Sequence, residues 1–365
     1  MSTPVMSPEK IVRYAETRLF GGNIHPEDVN AIHLHNGILP SHLEHMLDSI
    51  AGQGYVRLAQ QNEREPIFYK DGGLHIPQYS GFGRRRRYES VITAYIEASG
   101  RDIAFRSLEF EGIPRKTDHA YDNFAYNFVE ELFKTEPMHE FATVIFGPLG
   151  AVAKQARVLK ERPDEYLPSQ LVSVTGRNVL NIGYIYSDQV GILIDKMLIE
   201  YNAIARQLNR HMTIPMYMFG RVGGLGKTMR RHDLVFPTSI IDSTDLNDGQ
   251  VFIHQMNNIL AGEQRFVGPN LNVNMVIGQT IELLQRAASR NIGCVCVEME
   301  TREAVDSVNQ GRRRYTGTLR PEFGFVGHVS DLPLKGDTLD KELDSDRGEQ
   351  AAVATILASI ASSQA

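Results

Sequence analysis

Three short segments place residues capable of chemistry at the ends of apolar runs. The first is Val297-Glu298-Met299-Glu300, two carboxylates around a methionine after the apolar stretch that begins near Gly293. A carboxylate at the end of a buried run needs partners, because burying it unpaired is costly. Vicinal sugar hydroxyls would satisfy it, and so would an arginine in a structural pair. The second is Val329-Ser330-Asp331-Leu332-Pro333-Leu334-Lys335-Gly336-Asp337, which follows the apolar run Phe323–Val329. An Asp at the C-terminal end of a strand in an α/β sheet lies at the edge where ligands bind. Asp331 there either protonates a leaving group, if its pKa is raised, or caps the following segment. The third is the glycine-rich stretch Phe219-Gly220-Arg221-Val222-Gly223-Gly224-Leu225-Gly226-Lys227-Thr228. Glycines at a strand end let backbone approach a flat ligand, and they also make plain tight turns. A phosphate-binding P-loop needs glycine where Arg221 stands, and a helix where MRRHDLVFP turns into another strand.

The elements that must hold these segments follow from hydrophobic period. From about residue 140, short apolar runs alternate with helical stretches. The runs are Ala142–Phe146, Asn178–Ile182, Thr213–Phe219, Asp233–Phe236, Gly293–Val297 and Gly324–Val329. Helices are expected over Gln189–Leu208, Val276–Ala288, Glu300–Val308 and the Ala-rich Gly348–Ser363. Such alternation indicates an α/β domain with a mixed or largely parallel sheet. The first 60 residues read as helical, with a start at Ser7-Pro8-Glu9-Lys10 and a second helix over Leu39–Ile50. Residues 55 to 80 read as short strands turning at Asp71-Gly72-Gly73, and Phe124–Leu132 as a helix. The segment between is a basic run, Arg84–Arg87, followed by a mixed stretch. A domain boundary is expected near Thr135-Glu136-Pro137, giving 1–138 as an N-terminal α+β domain and 139–365 as the α/β domain.

Composition bounds the function. With 365 residues, about two domains are expected. A net charge of −6 argues against a nucleic-acid polymer as partner. Only Cys294 and Cys296 are present, two apart, so a disulfide scaffold is excluded and packed core thiols are expected. The opening MSTPVMSPEK lacks an apolar core of signal-peptide length, and no uncharged apolar stretch is long enough to span a bilayer. A soluble, cytoplasmic protein with no membrane partner is the expectation. His33, His35, His42 and His45 have suggestive metal spacings, but no cysteine or acidic partner completes a site, and neither metal nor cofactor is expected. Arg84–Arg87 and Arg312–Arg314 are each either a phosphate-reading cluster or a solvated face.

The order of these strand ends resembles the purine nucleoside phosphorylase and nucleosidase superfamily, with the closer likeness to the bacterial AMP nucleosidases. Asn181-Ile182-Gly183-Tyr184-Ile185-Tyr186-Ser187-Asp188 is similar to that family's "NIGVGPSN". Met218 to Leu225 is similar to "MIGHCGGL", and His232-Asp233-Leu234-Val235 to the "GDYV" that follows it. Ser330 to Asp337 is similar to "SDKPLHGE". The likeness spans roughly residues 178 to 340. Before it, Gly83–Ser90 bears only a faint likeness to "GRFETT".

The resemblance implies a three-layer α/β/α catalytic domain with a mixed sheet, preceded by a smaller α+β domain. It implies cleavage of the N-glycosidic bond of a purine nucleotide or nucleoside. Asp331 would give a proton or strong hydrogen bond to the leaving base, and Glu300 would hold the ribose hydroxyls. Met299 would pack on the sugar, Glu298 would lie near the base or support the site, and Val222, Gly223 and Gly224 would face the purine. Arg221, Ser187 and Ser330 fall among the substrate-binding positions, and a homo-oligomer is implied. The N-terminal domain would contact a 5′-phosphate or regulate the site. Met218 stands where phosphorylases carry arginine, and Gly147-Pro148-Leu149-Gly150 lacks the arginine of their phosphate loop; both favour water as nucleophile. Arg221 and Val222 replace the family's His-Cys, and Ile185 and Tyr186 its Gly-Pro, which crowds the nucleophile side. The rival readings are a phosphate-dependent phosphorylase and a non-catalytic nucleotide sensor on the same fold.

Overall fold

The computed structural model describes residues 6–20, 24–36, 53–58, 67–77, 82–109, 120–136, 143–163, 167–183, 187–243, 246, 253–256, 259–260, 265–273, 279–337 and 346–362. The chain divides into two compact units, Met6–Phe124 and Ala125–Ala365. The division falls upstream of the Thr135–Pro137 stretch.

In the N-terminal unit, α1 (Pro8–Leu19) packs on α2 (Phe82–Ser99), and α2 on β1 (Ala31–Asn36). The sheet runs β2 (Val56–Leu58), β3 (Ile67–Lys70), β4 (Gly73–Pro77), β1, β5 (Ala104–Glu109), with β1 parallel to both β4 and β5. The helical reading of the first 60 residues therefore fails at β1. Ile32 and Leu34 are fully buried and alternate with His33 and His35, a period of two that only a strand satisfies. The helix expected over Leu39–Ile50 lies outside the described residues. Arg84–Arg87 fall in the first turns of α2, a helix hidden in the sequence by that basic run.

The larger unit carries a ten-stranded mixed sheet among its described residues. Its strands are β6 (Val144–Phe146), β7 (Arg157–Arg162), β8 (Ser169–Val174), β9 (Arg177–Ile182), β10 (Met212–Gly224), β11 (Leu234–Asp242), β12 (Ile253–Gln255), β13 (Phe266–Asn272), β14 (Cys296–Glu298) and β15 (Leu319–Asp331). The order is β12-β11-β13-β14-β10-β6-β9-β8-β7, and β15 pairs with β10 and β11. Alongside run α3 (Ala120–Thr135), α4 (Leu149–Ala153), α5 (Ser187–Gln207), α6 (Ile281–Ala287), α7 (Thr301–Arg314) and α8 (Asp346–Ser362). β10 is longer than the apolar run that announces it because Gly220, Gly223 and Gly224 continue the ladder, whereas β15 extends its run at both ends, from Leu319 and to Asp331.

Helices cover both faces of this sheet. On one, Val353, Ile356 and Ile360 of α8 and Val152 of α4 join Tyr217, Phe219 and Val326 in a buried cluster. A second layer is α5 and α7, which pack on each other and on β15; Ser307 Oγ donates to the Gly191 carbonyl at 3.0 Å. The class is α/β, with three layers. No helix among the described residues is long and apolar enough to cross a membrane.

Candidate functional site

The three chemistry-bearing segments meet at Gly223. On one side β10 runs parallel to β15 and pairs Gly223 with Asp331; on the other it runs antiparallel to β14 and pairs Gly223 with Val297. A bulge between Val222 and Gly223 shifts the β10–β15 register, which opposes Asp331 rather than Ser330 to the glycine. The glycine is required by this closeness. A Cβ there would fall 2.8 Å from Val297 Cγ1 and 3.5 Å from Asp331 Oδ2.

Asp331 is 6% exposed. Burial penalises its charged form and pushes the carboxyl up to about 6; Asp337 adds to the rise, whereas Ser330 and Arg231 oppose it. Ser330 Oγ lies 2.7 Å from Asp331 Oδ1 and 3.2 Å from the Val222 carbonyl oxygen. One hydroxyl proton serves one acceptor at a time, so the pair fits both forms of the acid. Ser330 donates to an ionised Asp331; when Oδ1 is protonated, Asp331 donates to Ser330 and Ser330 to Val222. The site therefore holds a carboxyl able to keep and give up a proton near neutrality.

The two glutamates of the VEME segment are not equivalent. Glu298 is buried and its oxygens are surrounded by donors. Oε1 accepts from Asn270 Nδ2 and Thr301 Oγ1, both at 2.5 Å, and from Asn272 Nδ2 at 3.3 Å. Oε2 accepts from the backbone N–H of Glu300 at 2.5 Å and of Thr301 at 2.9 Å. These last two are the orphan donors that open α7, so Glu298 acts from outside the helix as its anionic cap. The carboxylate thus orients the turn carrying Met299 and Glu300. Met299 is partly buried against the cluster of Leu225, Val297 and Leu271, and Glu300 is half-buried at the N-cap of α7.

Other expected site residues lie elsewhere. Val222 is buried and contributes its carbonyl; Gly224 pairs with Cys296. Arg221 points toward α8, where its Nη2 lies 3.6 Å from Glu349 Oε1, beside the buried His328 that it faces across the ladder. No described contact brings Arg221 to Asp331. Ser187 opens α5, but its side chain lies outside the described residues, as do Tyr184–Tyr186 and the side chains of Arg84–Arg87. In the NIG segment, Asn181 is a structural tie: its Nδ2 donates to the Ile145 carbonyl at 3.1 Å, and its Oδ1 accepts from Gln170 at 2.9 Å. The GKT stretch opens no helix; a turn leads from it into β11. Arg312 is engaged by the Pro321 carbonyl at 2.7 Å. Cys294 and Cys296 are free and buried. His42 and His45 lie outside the described residues, among which no group of three or more ligating side chains is set to hold a metal.

Sequence reasoning missed the supports. Asn270 and Asn272 stand two apart on β13, so period two puts both on one side facing Glu298; Asn270-Leu271-Asn272 was their only signal. Asp242, across from Asn272, is buried and ion-paired with Arg302 of α7. Asp337 closes the Ser330–Asp337 segment without its role being visible there, and Arg231 carries no spacing signal at all.

No family model matches this chain, and no curated protein matches it. Solved structures similar to it include a 5′-methylthioadenosine/S-adenosylhomocysteine nucleosidase from Neisseria meningitidis, at 14% identity and a TM-score of 0.39, covering 60% of this chain and 98% of that one. A futalosine hydrolase from Helicobacter pylori is similar at 9% identity and a TM-score of 0.41, covering 60% and 97%. A uridine phosphorylase from Vibrio fischeri is similar at 10% identity and a TM-score of 0.42, covering 60% and 90%. Likeness at these scores assigns neither a family nor a reaction.

Proposed function

We propose that the larger unit is an N-ribosyl hydrolase that releases the base from a purine nucleotide or nucleoside, in the manner of the AMP nucleosidases. The observation that carries this reading is Asp331. It is a buried carboxyl with affinity for a proton near neutrality, set against a glycine that lets Asp331 and Val297 approach the β10 backbone closely. Ser330 holds Oδ1, which leaves Oδ2 on the Gly223 side to donate to the departing base. Protonation makes the base a better leaving group while positive charge develops on the ribose. Glu300 supplies the carboxylate that holds the ribose hydroxyls, Met299 packs on the sugar, and the Val222–Gly224 backbone faces the purine. Glu298 serves by fixing the turn that carries both. The engagement of Arg221 with Glu349 supports hydrolysis over phosphorolysis, since that guanidinium already has an anionic partner.

Incubation of the purified protein with a panel of purine and pyrimidine nucleosides and nucleotides tests the reading. Free base with ribose or ribose 5-phosphate, and no phosphate requirement, is the expected result. Ribose 1-phosphate would mark a phosphorylase, and bound but unaltered ligand a sensor.

A further inference from the structure

Two segments with no assigned role adjoin the end of β15 that carries Asp331. One is the turn from Gly226 to Asp233; the other is Leu332 to Asp337, which folds back so that Leu332 and Asp337 form an isolated antiparallel bridge. Leu332 N donates to the Asp337 carbonyl at 2.9 Å, and Asp337 N to the Leu332 carbonyl at 3.3 Å. Asp337 is thereby fixed opposite the residue that follows Asp331. Arg231 grips its side chain with both arms of the guanidinium: Nε to Oδ2 at 2.7 Å and Nη2 to Oδ1 at 2.6 Å. A bidentate pair of this kind is specific in geometry as well as favourable in energy.

The placement of Arg231 is itself enforced. His232 adopts a left-handed conformation at φ 70°, uncommon for a residue with a side chain. What holds it there is β15: His232 N donates to the Val329 carbonyl at 2.8 Å, and Val329 N to the Asp233 carbonyl at 2.9 Å. Arg230 N donates to Asp233 Oδ2 at 2.8 Å and tightens the same turn. Lys335 Nζ reaches back to the Met229 carbonyl at 2.7 Å and ties the two segments together. Strain at one residue is thus compensated by a ladder two residues from the acid, which is how functional sites hold unusual backbone.

We propose that Arg231 and Asp337 are a positioning pair whose opposed charges set the proton affinity of Asp331, each cancelling part of the other's field. Around Asp331 stand Ser330 on its own strand, Gly223 of β10, which Val297 and Pro333 also crowd, and the two charged side chains Asp337 and Arg231. Among the described residues, the charges that act on it are Asp337, which raises its proton affinity, and Arg231, which lowers it. The inference rests on the reading of Asp331 as the acid, but its test does not need turnover.

Carbon-13 carboxyl NMR titration of the full chain reads the Asp331 midpoint directly, with Asp331→Asn identifying the signal. Arg231→Gln removes a stabilising cation and is expected to raise the midpoint. Asp337→Asn removes a repelling anion, frees Arg231, and is expected to lower it. A pair that merely closes the loop predicts something else: both variants would hydrate the acid and lower its midpoint together. Shifts of the same sign, or none, overturn the proposal. Should either single variant fail to fold, the exchanged protein, Arg231→Asp with Asp337→Arg, is expected to fold and keep a midpoint above the ordinary Asp range. An exchanged protein that fails on either count also overturns it. Opposed shifts in a protein that cleaves no nucleoside would preserve the pair and remove the hydrolase reading; unmoved midpoints in an active enzyme would do the reverse.

Discussion

Replacing Asp331 with asparagine is expected to stabilise the protein while abolishing the proposed base release. The carboxyl is raised from an ordinary value of 3.8 to about 6, chiefly by burial. Every tenfold change in proton affinity corresponds to about 1.4 kcal/mol, so holding this group ionised in the native state costs about 3 kcal/mol. The sign follows from linkage. A folded-state pKa above the unfolded one contributes stability that is full below about pH 4 and lost as pH rises through about 6. Asparagine keeps the shape and can still accept from Ser330, but it has no charge to bury. The stability gap between variant and wild type should therefore be small near pH 4, widen through pH 6 and level off at about 3 kcal/mol above pH 7. For a unit of this size that is a rise in Tm of about 6–12 °C. Thermal or urea unfolding of both proteins from pH 4 to 8 measures it. A gap that stays flat with pH, or a variant less stable than wild type at pH 8, would refute the reasoning. Gain of stability with loss of activity is the pattern expected where function maintains a strained acid.

Glu298→Gln turns an acceptor-only group into one with two N–H donors, so some of the donors around it lose their acceptor. Two buried groups left unsatisfied amount to a loss of about 3 kcal/mol, with faster hydrogen exchange at Thr301; unchanged stability with lost activity would instead make Glu298 a ligand contact. Gly223→Ala drives a methyl against Val297 and should cost about 1–3 kcal/mol, and Val297→Ala in the same chain should recover part of it; no recovery would mean that the crowding lies elsewhere. In the N-terminal unit, His35 Nε2 and His75 Nδ1 lie 2.9 Å apart, with His33 stacked on His75 at 4.6 Å. Burial first, and then neighbouring imidazoles, hold His35 down at about 3 and His75 at about 4. Their stability contribution is complete above pH 6.5 and lost as pH falls toward those values, so the protection of the Met6–Phe124 amides, relative to the intrinsic exchange rate at each pH, should fall in acid, less so in His75→Gln. Protection unchanged between pH 7 and 4.5 would count against it.

Much of the candidate site was legible because its residues are chemically conspicuous where they stand. Carboxylates at the ends of apolar runs demand a reason, and Glu298 and Asp331 both have one. Glycine at 223 is explained by two strands crowding it from either side. Support residues were less visible. Asn270 and Asn272 show only a period of two, and Arg231 lies 100 residues from Asp331 with nothing in its spacing to connect them. Arg221 was conspicuous for the opposite reason, an arginine in a glycine-rich turn, yet its partner is Glu349 on α8. The helical reading of β1 failed because His33 and His35 face the side of the sheet away from Ile32 and Leu34, and short alternating runs near a helix are easily absorbed into it.

The sequence by itself determined the α/β class of the larger unit, the succession of its later strands and helices, and the three segments able to do chemistry. These are local properties, written in hydrophobic period, glycine content and residue type. The tertiary structure alone decided that Gly223 separates Val297 from Asp331, because strand order and register arise from long-range packing. It alone assigned one glutamate of VEME to the cap of α7 and set Arg231 and Asp337 beside the acid. A carboxyl's proton affinity depends on the water and charge around it, and those are supplied by residues distant in the chain.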